Sequence, residues 1–312
     1  MHNMITTLTL NPAIDRTLIV DNFKVNSVNK VHHVSVLAGG KGINVSRTVR
    51  FLGEETVALG IVGGSTGQEL MLLLDEEGIR HDFIHIDGKT RTNIKLVDNQ
   101  NNTCTDMNEP GASIDAETLI KLNQKITDYA VKSDLFVLSG SLPAGVPSHY
   151  CRSLITQLNK MGIRTIFDGS GDCLREGINA SPYLIKPNIH ELCELLGIRT
   201  LTESAKIIAA CHDLLKQTNI PNICVSCGSA GLVWVSKDKT IQAVPPALTS
   251  KNTVGAGDIV VGCLAAGLRA GVSQTDVLRH ACAVSAASVT LSGTGLPSKA
   301  QIADIYRQVK IL

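Results

Sequence analysis

Residues 252–258 read Asn-Thr-Val-Gly-Ala-Gly-Asp, and they lead directly into the apolar stretch 259–266, Ile-Val-Val-Gly-Cys-Leu-Ala-Ala. This pattern predicts a glycine turn that feeds a buried helix. The first amides of that helix, at residues 255–257, have no partner inside the helix, and together with the helix dipole they form an anion site. Asp258 would lie where those amides point, placed to take a proton from an attacking hydroxyl group. Taken alone, the motif also fits a tight turn whose aspartate only stabilises the helix start.

Outside this stretch, short apolar segments alternate with longer amphipathic ones. The amphipathic segments 68–77 and 116–131 predict helices, and Gly78 follows the first of them at the position where glycine commonly ends a helix. Apolar strands that alternate with helices are typical of a parallel sheet covered on both faces. The sequence therefore predicts an α/β fold with a central, mostly parallel sheet and helices on both faces. The predicted buried strands are 7–10, 57–62, 135–138, 165–167, 183–185 and 223–225.

Small and polar residues follow several of these strands where each strand ends. Open α/β sheets bind their ligands at the carboxyl ends of their strands. We therefore expect one active-site crevice along one edge of the sheet. The segments that would line it are 10–12, 139–141, 168–170, 186–188 and 226–228.

Two stretches depart from the alternation and resemble β-hairpins. Segments 17–20 and 31–36 flank one polar turn, and segments 90–97 and 103–107 flank the turn Asp-Asn-Gln-Asn-Asn at 98–102. Hairpins inserted into an α/β fold would form a small sheet able to cover the crevice. We expect a single domain over residues 1–312, with a β-sheet lid formed by about 16–36 and 88–110.

The composition excludes several classes of function. Lys and Arg total 29 against 28 Asp and Glu, so the net charge of +1 is too small to attract nucleic acid or an anionic membrane. Aromatic residues make up only 3%, too few for base-stacking surfaces. The start of the chain lacks the features of a signal peptide, and the longest apolar stretch, 259–268, is too short to span a bilayer. Nine scattered cysteines favour the reducing cytoplasm over a disulfide framework.

A second glycine cluster lies at 38–45, Ala-Gly-Gly-Lys-Gly-Ile-Asn-Val. It is not a Walker A motif, because the preceding glycine is missing and Gly42 stands where Ser or Thr would hold magnesium. Two interpretations remain open: backbone amides that approach a small ligand, or a strand-to-helix turn with one solvated lysine. The residues assigned to the ligand site are Gly39, Gly40, Lys41 and Asn44.

In this order, the two glycine clusters resemble the signature regions of the PfkB (ribokinase-like) family of carbohydrate kinases, and the resemblance covers almost the whole chain. It implies a ribokinase-like fold, a sugar as phosphoryl acceptor, ATP as donor and Mg²⁺ as the second cofactor. It also implies that Asp258 is the catalytic base and that the amides of Gly255, Ala256 and Gly257 hold the developing charge.

The segment Lys186-Pro187-Asn188-Ile189-His190-Glu191 resembles the family's Asn-x-x-Glu element, which is linked to magnesium and phosphate. Asn188 and Glu191 share one face of a helical turn, so they can hold the water shell of a metal ion together. Without the resemblance, Glu191 would be interpreted as a first-turn residue that the helix dipole stabilises. Lys186 and Asn188 are assigned to the nucleotide, and Asn188 and Glu191 to magnesium through water.

Other positions take their roles from the resemblance alone. Asp15, in 11–15, matches the aspartate that holds sugar hydroxyl groups, and Ser139, in 139–143, matches a turn against the substrate. The chain departs from the family pattern at two places: Ile259 replaces a serine found in many relatives, and Cys227 lies inside the Ser-x-Gly turn. These departures concern the phosphate cradle and leave the catalytic assignment intact. On the nucleotide side the matching residues are Ser226, Gly228 and Gly231.

The predicted lid strand 90–96 carries Arg91, Asn93 and Lys95 on one face, because side chains alternate along a strand. Two cations and an amide facing the crevice suit a substrate that already bears a phosphate, which arginine can grip with two hydrogen bonds. A solvated lid face is the alternative. Lys41, on the other side of the crevice, favours the sugar phosphate.

Within the family, the segments 9–13, 90–96, 139–143, 167–170 and 185–188 resemble most closely the kinases of phosphorylated ketohexoses. This implies fructose 1-phosphate as substrate, with tagatose 6-phosphate as the alternative and a non-catalytic sugar-phosphate sensor as a third possibility. A nicotinamide-dependent dehydrogenase is disfavoured, because 60–67 lacks GxGxxG spacing. Lids of this family often form dimers, so the resemblance also implies a homodimer.

Overall fold

The computed structural model describes residues 4–101, 103–291 and 295–312. Asn102, the last residue of the predicted turn, and residues 1–3, which belong to the start of the chain considered above, lie outside the described residues. The helices are α1 (Lys41–Phe51), α2 (Gly64–Glu76), α3 (Ala116–Ala130), α4 (Tyr150–Lys160), α5 (Gly171–Ile178), α6 (Ile189–Leu196), α7 (Ser204–Thr218), α8 (Ala256–Arg269), α9 (Gln274–Ser288) and α10 (Lys299–Gln308).

A 10-stranded sheet forms the centre of the protein. From β11 to β5 its neighbouring strands are parallel, and β12, β13 and β14 extend it in antiparallel fashion. The mostly parallel α/β sheet that the sequence predicts is therefore confirmed. In spatial order the strands are β14 (Lys310–Ile311), β13 (Thr240–Val244), β12 (Leu232–Ser236), β11 (Asn222–Ser226), β10 (Leu184–Ile185), β9 (Arg164–Asp168), β8 (Ser133–Ser139), β1 (Met4–Thr9), β4 (Thr56–Gly63) and β5 (Arg80–Ile86).

Both faces of this sheet are buried, and β8 illustrates how one sequence satisfies both. Leu135 and Val137 pack in one core cluster with α1, α8, α9 and α10, whereas Phe136 and Leu138 pack in another with α3 to α7. Alternate residues point to opposite faces, so an uninterrupted apolar strand supplies both cores. Helices on both faces are thereby confirmed. Among the described residues, no helix is long and apolar enough to cross a bilayer.

A smaller sheet of 4 strands has the order β3 (His33–Gly39), β2 (Ala13–Val20), β6 (Arg91–Asp98) and β7 (Thr103–Asn108). Both predicted hairpins are present, since β2 pairs with β3 and β6 with β7 in antiparallel fashion. A parallel pairing of β2 with β6 joins them. On one face, Ile14 and Ala38 pack against Leu70 and Leu74 of α2. This packing anchors the smaller sheet to the body of the protein.

The Asp98 carboxylate, at the end of β6, joins the two outer loops of the smaller sheet. It accepts hydrogen bonds from the backbone amides of Asn22 (2.9 Å) and Phe23 (2.7 Å), and from the Asn101 side chain (2.8 Å). Burial acts to raise the pKa of Asp98, but the bonds from Asn101, Phe23 and Asn22 outweigh it and lower the pKa to about 2. The carboxylate therefore stays charged and bonded to both loops throughout the neutral range.

Candidate active site

Asp258 lies in the first turn of α8, and its side chain is buried. Gly255 precedes the helix with φ 79°, a left-handed conformation that glycine adopts without strain. The turn predicted from 252–258 is thus formed, and it directs Asp258 toward α1. There the Asn44 side-chain amide donates a hydrogen bond of 2.7 Å to Oδ2 of Asp258. Asn44 and Asp258 are 214 positions apart in the sequence, and this hydrogen bond joins them.

The surroundings of Asp258 favour its protonated form more than water does. Burial is the main cause, and the nearby negative charge of Asp168 adds to it; together they raise the pKa of Asp258 to about 7. The hydrogen bond from Asn44 and the charges of Lys41 and Lys186 act in the opposite direction. A carboxyl group with a pKa near 7 can both accept and release a proton at neutral pH.

Asp168, at the end of β9, ties two lysines and a serine together. Its buried carboxylate lies 3.1 Å from the Lys186 ammonium and 3.4 Å from that of Lys41, and it accepts a hydrogen bond of 3.0 Å from the Ser139 hydroxyl. Although burial opposes ionisation, the charges of Lys186 and Lys41 keep the pKa of Asp168 below its usual value. Sequence reasoning placed 168–170 in the crevice but assigned Asp168 no role in the site.

Lys186 lies beside the start of α8 rather than in open solvent. A Cβ atom added to Gly257 would come within 3.4 Å of the Lys186 ammonium, so the lysine occupies the space next to the first helical amides. Its side chain is almost fully buried, and the carboxylate of Asp168 offsets the cost of that burial. The lysine therefore adds positive charge to a helix start that already attracts anions.

The glycine cluster at 38–45 forms the turn between β3 and α1. Gly40 has φ 121°, and a Cβ atom on Gly39 would lie only 2.1 Å from Oδ2 of Asp15. Only glycine at position 39 leaves room for the aspartate. Because α1 starts at Lys41, its first turns direct Lys41 toward Asp168 and Asn44 toward Asp258.

One face of the smaller sheet carries Asp15, Arg91, Asn93 and Lys95, as the alternation predicts. Asp15 pairs with Asn93 in register, and the Asn93 amide donates a 2.8 Å hydrogen bond to the Asp15 carboxylate. Burial raises the pKa of Asp15 despite this bond. Among the described residues, three buried atoms on this face have no hydrogen-bond partner: Nε of Arg91, Oδ1 of Asn93 and Nζ of Lys95, which lies 3.7 Å from the Asp106 carboxylate.

The predicted substrate residues do not all meet in one cavity. Asp15, Asn44, Arg47 and Gly255 line a small cavity under the smaller sheet. Arg91 lines a neighbouring cavity instead, where its guanidinium donates to the carbonyl oxygens of Asn11 and Glu109, each at 3.1 Å. Ser139 contacts Asp168 and lines neither of these cavities.

A groove of about 890 Å³ lies on the other side of α8. It is large enough for a nucleotide, and its walls are mostly small and apolar side chains. Gly231 has φ 90°, and a Cβ atom there would lie 2.0 Å from the Ala243 carbonyl oxygen, so the turn after β11 requires glycine. The predicted residues that line the groove are Asn188, Ser226, Gly228, Gly231, Ala256 and Gly257.

Asn188 and Glu191 form a reciprocal cap at the start of α6. The Glu191 amide donates to the Asn188 side-chain oxygen at 2.8 Å, and the Asn188 amide donates to Oε2 of Glu191 at 2.8 Å. Within the described ranges, no group of three or more His, Cys, Asp or Glu side chains could hold a metal ion. The cap uses Oε2 of Glu191, so the other carboxylate oxygen is left for a water molecule, the kind of contact through which proteins often hold magnesium.

A buried carboxylate at the anion-attracting start of a helix suits phosphoryl transfer, and the match to a known family gives the class of protein, a kinase that acts on a carbohydrate. The protein family described as "pfkB family carbohydrate kinase" matches residues 5–301 of this chain. The chain belongs to this family and is a sugar phosphotransferase, as the resemblance implies.

Relatives of known name agree with this assignment over the full length of the chain. A 1-phosphofructokinase of Vibrio cholerae is 36% identical over 313 residues, which cover 100% of this chain and 97% of the relative. A tagatose-6-phosphate kinase of Staphylococcus epidermidis is 32% identical over 311 residues, with 99% of each chain covered. Phosphofructokinase-2 of Escherichia coli in complex with potassium superposes with a TM-score of 0.92 at 30% identity, covering 98% of this chain and 99% of that chain.

Proposed function

We propose that this chain transfers the γ-phosphoryl group of ATP to a primary hydroxyl group of a ketohexose phosphate. The favoured reaction converts fructose 1-phosphate to fructose 1,6-bisphosphate, and the conversion of tagatose 6-phosphate to its 1,6-bisphosphate is the second candidate. One observation carries the proposal: the first turn of α8 borders two cavities. Gly255 lines the cavity with Asp15 and Asn44, whereas Gly257 lines the large groove, and Asp258 lies on the same turn.

In this reaction Asp258 orients the attacking hydroxyl group and accepts its proton as the new phosphate ester forms. The amides of Gly255, Ala256 and Gly257 hold the charge that develops on the transferred group, and for this the Ala256 amide gives up its 3.3 Å bond to the Thr253 carbonyl oxygen. Lys41 and Lys186, positioned by Asp168, add positive charge on the same side. In phosphoryl transfer most of the rate enhancement comes from positioning the reactants and stabilising the charge of the transition state, because the protein itself forms no covalent bond to the transferred group.

Magnesium belongs to the nucleotide side of this proposal. Asn188 and Glu191 would hold it through water, while Glu191 continues to cap α6 with one of its oxygens. When bound, the metal ion neutralises charge on the nucleotide phosphates.

The smaller sheet acts as the lid and recognises the phosphate that the sugar already bears. Support comes from two buried nitrogen atoms, Nε of Arg91 and Nζ of Lys95, which have no hydrogen-bond partner among the described residues. Buried donors in this state are costly, and a bound anion would satisfy them. Asp15, held by Asn93 between the two cations, would then bind sugar hydroxyl groups.

A panel of phosphorylated ketoses tests the proposed substrate. ADP release is measured by a coupled assay with fructose 1-phosphate, tagatose 6-phosphate and fructose 6-phosphate, and ³¹P NMR identifies each product. We expect kcat/KM for fructose 1-phosphate to exceed the others by about tenfold or more, a difference of about 1.4 kcal/mol in transition-state binding. A higher value for tagatose 6-phosphate would select the second candidate. If the protein binds these sugar phosphates but none of the three causes ADP release, kinase activity is contradicted and the sugar-phosphate sensor becomes the favoured function.

The lid also forms the contact of a homodimer in this proposal. Large apolar side chains are exposed in the loop between β2 and β3 and on both edge strands of the smaller sheet, β3 and β7, and every residue of β7 is exposed. A sheet edge with apolar neighbours readily pairs with another chain, and a second copy of this chain presents the same surface. The exposed apolar residues concerned are Phe23, Val25, Val28, Val31, Val34 and Met107.

We expect Val25→Lys to convert the dimer to a monomer, because Val25 is 76% exposed in the lid loop and a lysine there would be forced against the partner copy. Light scattering after size-exclusion chromatography measures the mass. Val131→Lys is the matched control, since Val131 is 57% exposed at the end of α3, away from the lid. A monomeric wild-type protein, or a mass unchanged by Val25→Lys, would contradict a dimer through the lid.

The proposed compartment is the cytoplasm. All nine cysteines are free, and eight of them are buried. Unpaired cysteines are the norm where thiols are kept reduced.

A further inference from the structure

Arg47 makes a set of contacts that lead directly to the catalytic carboxyl group. It lies on α1, one helical turn after Asn44. Its Nη1 donates a 2.7 Å hydrogen bond to Oδ1 of Asn44, and Asn44 in turn donates a 2.7 Å bond to Asp258. The two bonds form a continuous path from the guanidinium to the carboxylate.

The other donors of Arg47 fix the guanidinium in place. Nε and Nη2 grip the Glu77 carboxylate at 2.5 and 2.8 Å, and Nη2 also donates to the Ala38 carbonyl oxygen at 2.8 Å. Glu77 directly follows α2, and Ala38 comes directly before the glycine turn of the sugar side. A planar guanidinium held at both ends of its fork has little freedom to rotate.

We propose that Arg47 is a positioning residue, which fixes the side-chain amide of Asn44 so that it offers its N–H group, and not its oxygen, to Asp258. A guanidinium can only donate hydrogen bonds, so the Asn44 oxygen must face Arg47. The amide nitrogen is then left for the carboxylate. Without Arg47, the amide can rotate by half a turn and place its oxygen against Asp258, which disfavours the ionised base. This inference rests on the proposed role of Asp258.

Other charged groups near this path also act on the pKa of Asp258, so they limit how far the loss of Arg47 can shift it. Asp258 faces Asp168 at the end of β9, Lys41 on α1 and Lys186 after β10. Arg47 itself faces Glu77 after α2 and Asp15 on β2. The bond from Asn44 lowers the pKa of Asp258 against the larger effect of burial. Loss of that bond therefore raises the pKa, and the ionised base is then populated only at higher pH.

The test is a double-mutant cycle between Arg47→Ala and Asn44→Ala, with kcat, KM and the pH profile of kcat as readouts. We expect Arg47→Ala to move the acidic limb of the profile up by about one pH unit and, because the pKa of Asp258 is about 7, to lower kcat at pH 7 by about fivefold. In the Asn44→Ala background the same change should lower kcat by less than about twofold, because the path is already broken. Equal losses in both backgrounds, or an unchanged acidic limb, would overturn the proposal.

Arg50→Ala is the matched control. Arg50 lies on α1 three residues further on and also contacts Glu77, but through the Glu77 backbone carbonyl oxygen. We expect it to leave the pH profile unchanged; a shift equal to that of Arg47→Ala would show a general effect of α1 and overturn the proposal. Methylguanidinium added to Arg47→Ala should restore part of kcat saturably, because Arg47 borders an open groove.

If Arg47→Ala does not fold, Glu77→Gln carries the test, since it loosens the guanidinium and leaves Asn44 and Asp258 intact. The same upward shift of the acidic limb, at smaller size, is expected, and no shift overturns the proposal. The Asp258→Asn variant distinguishes a failure of the proposed function from a failure of the role proposed for Arg47. Full activity in Asp258→Asn would contradict the proposed function, whereas an inactive Asp258→Asn beside a normal Arg47→Ala would contradict only the role of Arg47.

Discussion

Asp258→Asn is expected to lower kcat by about 10²- to 10⁴-fold while KM for both substrates changes little. The amide keeps the size of the carboxyl group and can still bond to Asn44, but it cannot accept a proton. The loss should therefore fall on the chemical step and not on binding. Steady-state kinetics with ATP and fructose 1-phosphate measures both parameters.

The control for this change is Asp304→Asn, at an exposed carboxylate on α10 that pairs with Arg307 on the same helix. It should leave kcat unchanged. Near-normal turnover of Asp258→Asn would remove Asp258 from the mechanism, and a large rise in KM with normal kcat would make it a binding residue instead.

Arg91→Ala is expected to raise KM for the sugar phosphate by roughly 10- to 100-fold and to leave KM for ATP nearly unchanged. Burial lowers the pKa of the Arg91 guanidinium, although Asp15 and Glu109 act against this, so its charge is partly desolvated and an anion there would be bound strongly. A hydrogen bond to a charged group contributes about 1.5–3 kcal/mol, which gives the expected range. Initial-rate measurements with each substrate varied in turn provide both constants.

Arg16→Ala is the matched control for the lid. Arg16 lies on β2 next to Asp15, so its side chain is on the opposite face of the smaller sheet, where it pairs with Glu69 at 3.2 Å. We expect no change in KM for the sugar phosphate. An equal rise in both Michaelis constants for Arg91→Ala, or an equal effect of Arg16→Ala, would contradict recognition of the substrate phosphate by Arg91.

The sequence predicts the parts of this fold that depend on local pattern. The apolar strand 135–138 indicates a sheet buried on both faces, because each of its residues must enter one of two cores. The glycines at 255 and 257 predict the turn before α8. Asn followed three residues later by Glu is a common helix-capping pattern, and Asn188 and Glu191 form such a cap. The antiparallel strands β12, β13 and β14 were not predicted. β14 has only 2 residues and carries almost no periodic signal, whereas the buried apolar segment of β12 carried one that was not used.

The residues that sequence reasoning missed depend on contacts between distant segments. Asp168 becomes part of the site because β9 lies beside both β8 and β10, which brings Ser139 and Lys186 to it. No local pattern specifies that order of strands. In the sequence, Arg47 is one of several charged residues on an amphipathic helix. Only its contacts with Glu77 and Asn44 in the structure distinguish it from the others. The spacing of three between Asn44 and Arg47 is the one signal that could have linked them.

The smaller sheet was predicted in outline, and so was the shared face of its charged side chains, but the cavities that they border were not. Arg91, Asn93 and Lys95 do share a face, because alternation along a strand is a local property. Arg91 and Lys95 are four residues apart, about 13 Å along the strand, so they reach different parts of the crevice. Which cavity each side chain enters depends on how the two sheets pack together.

The most direct test of the whole account is the ratio of kcat/KM for fructose 1-phosphate to that for unphosphorylated fructose in the wild-type enzyme. The proposed mechanism places the chemistry at Asp258 and the recognition of an existing phosphate at the lid. It therefore predicts a ratio of at least about 10³, because two charged contacts contribute roughly 4 kcal/mol or more to transition-state binding. A ratio near 1 would contradict the account, since the lid cations would then play no part in selecting the substrate.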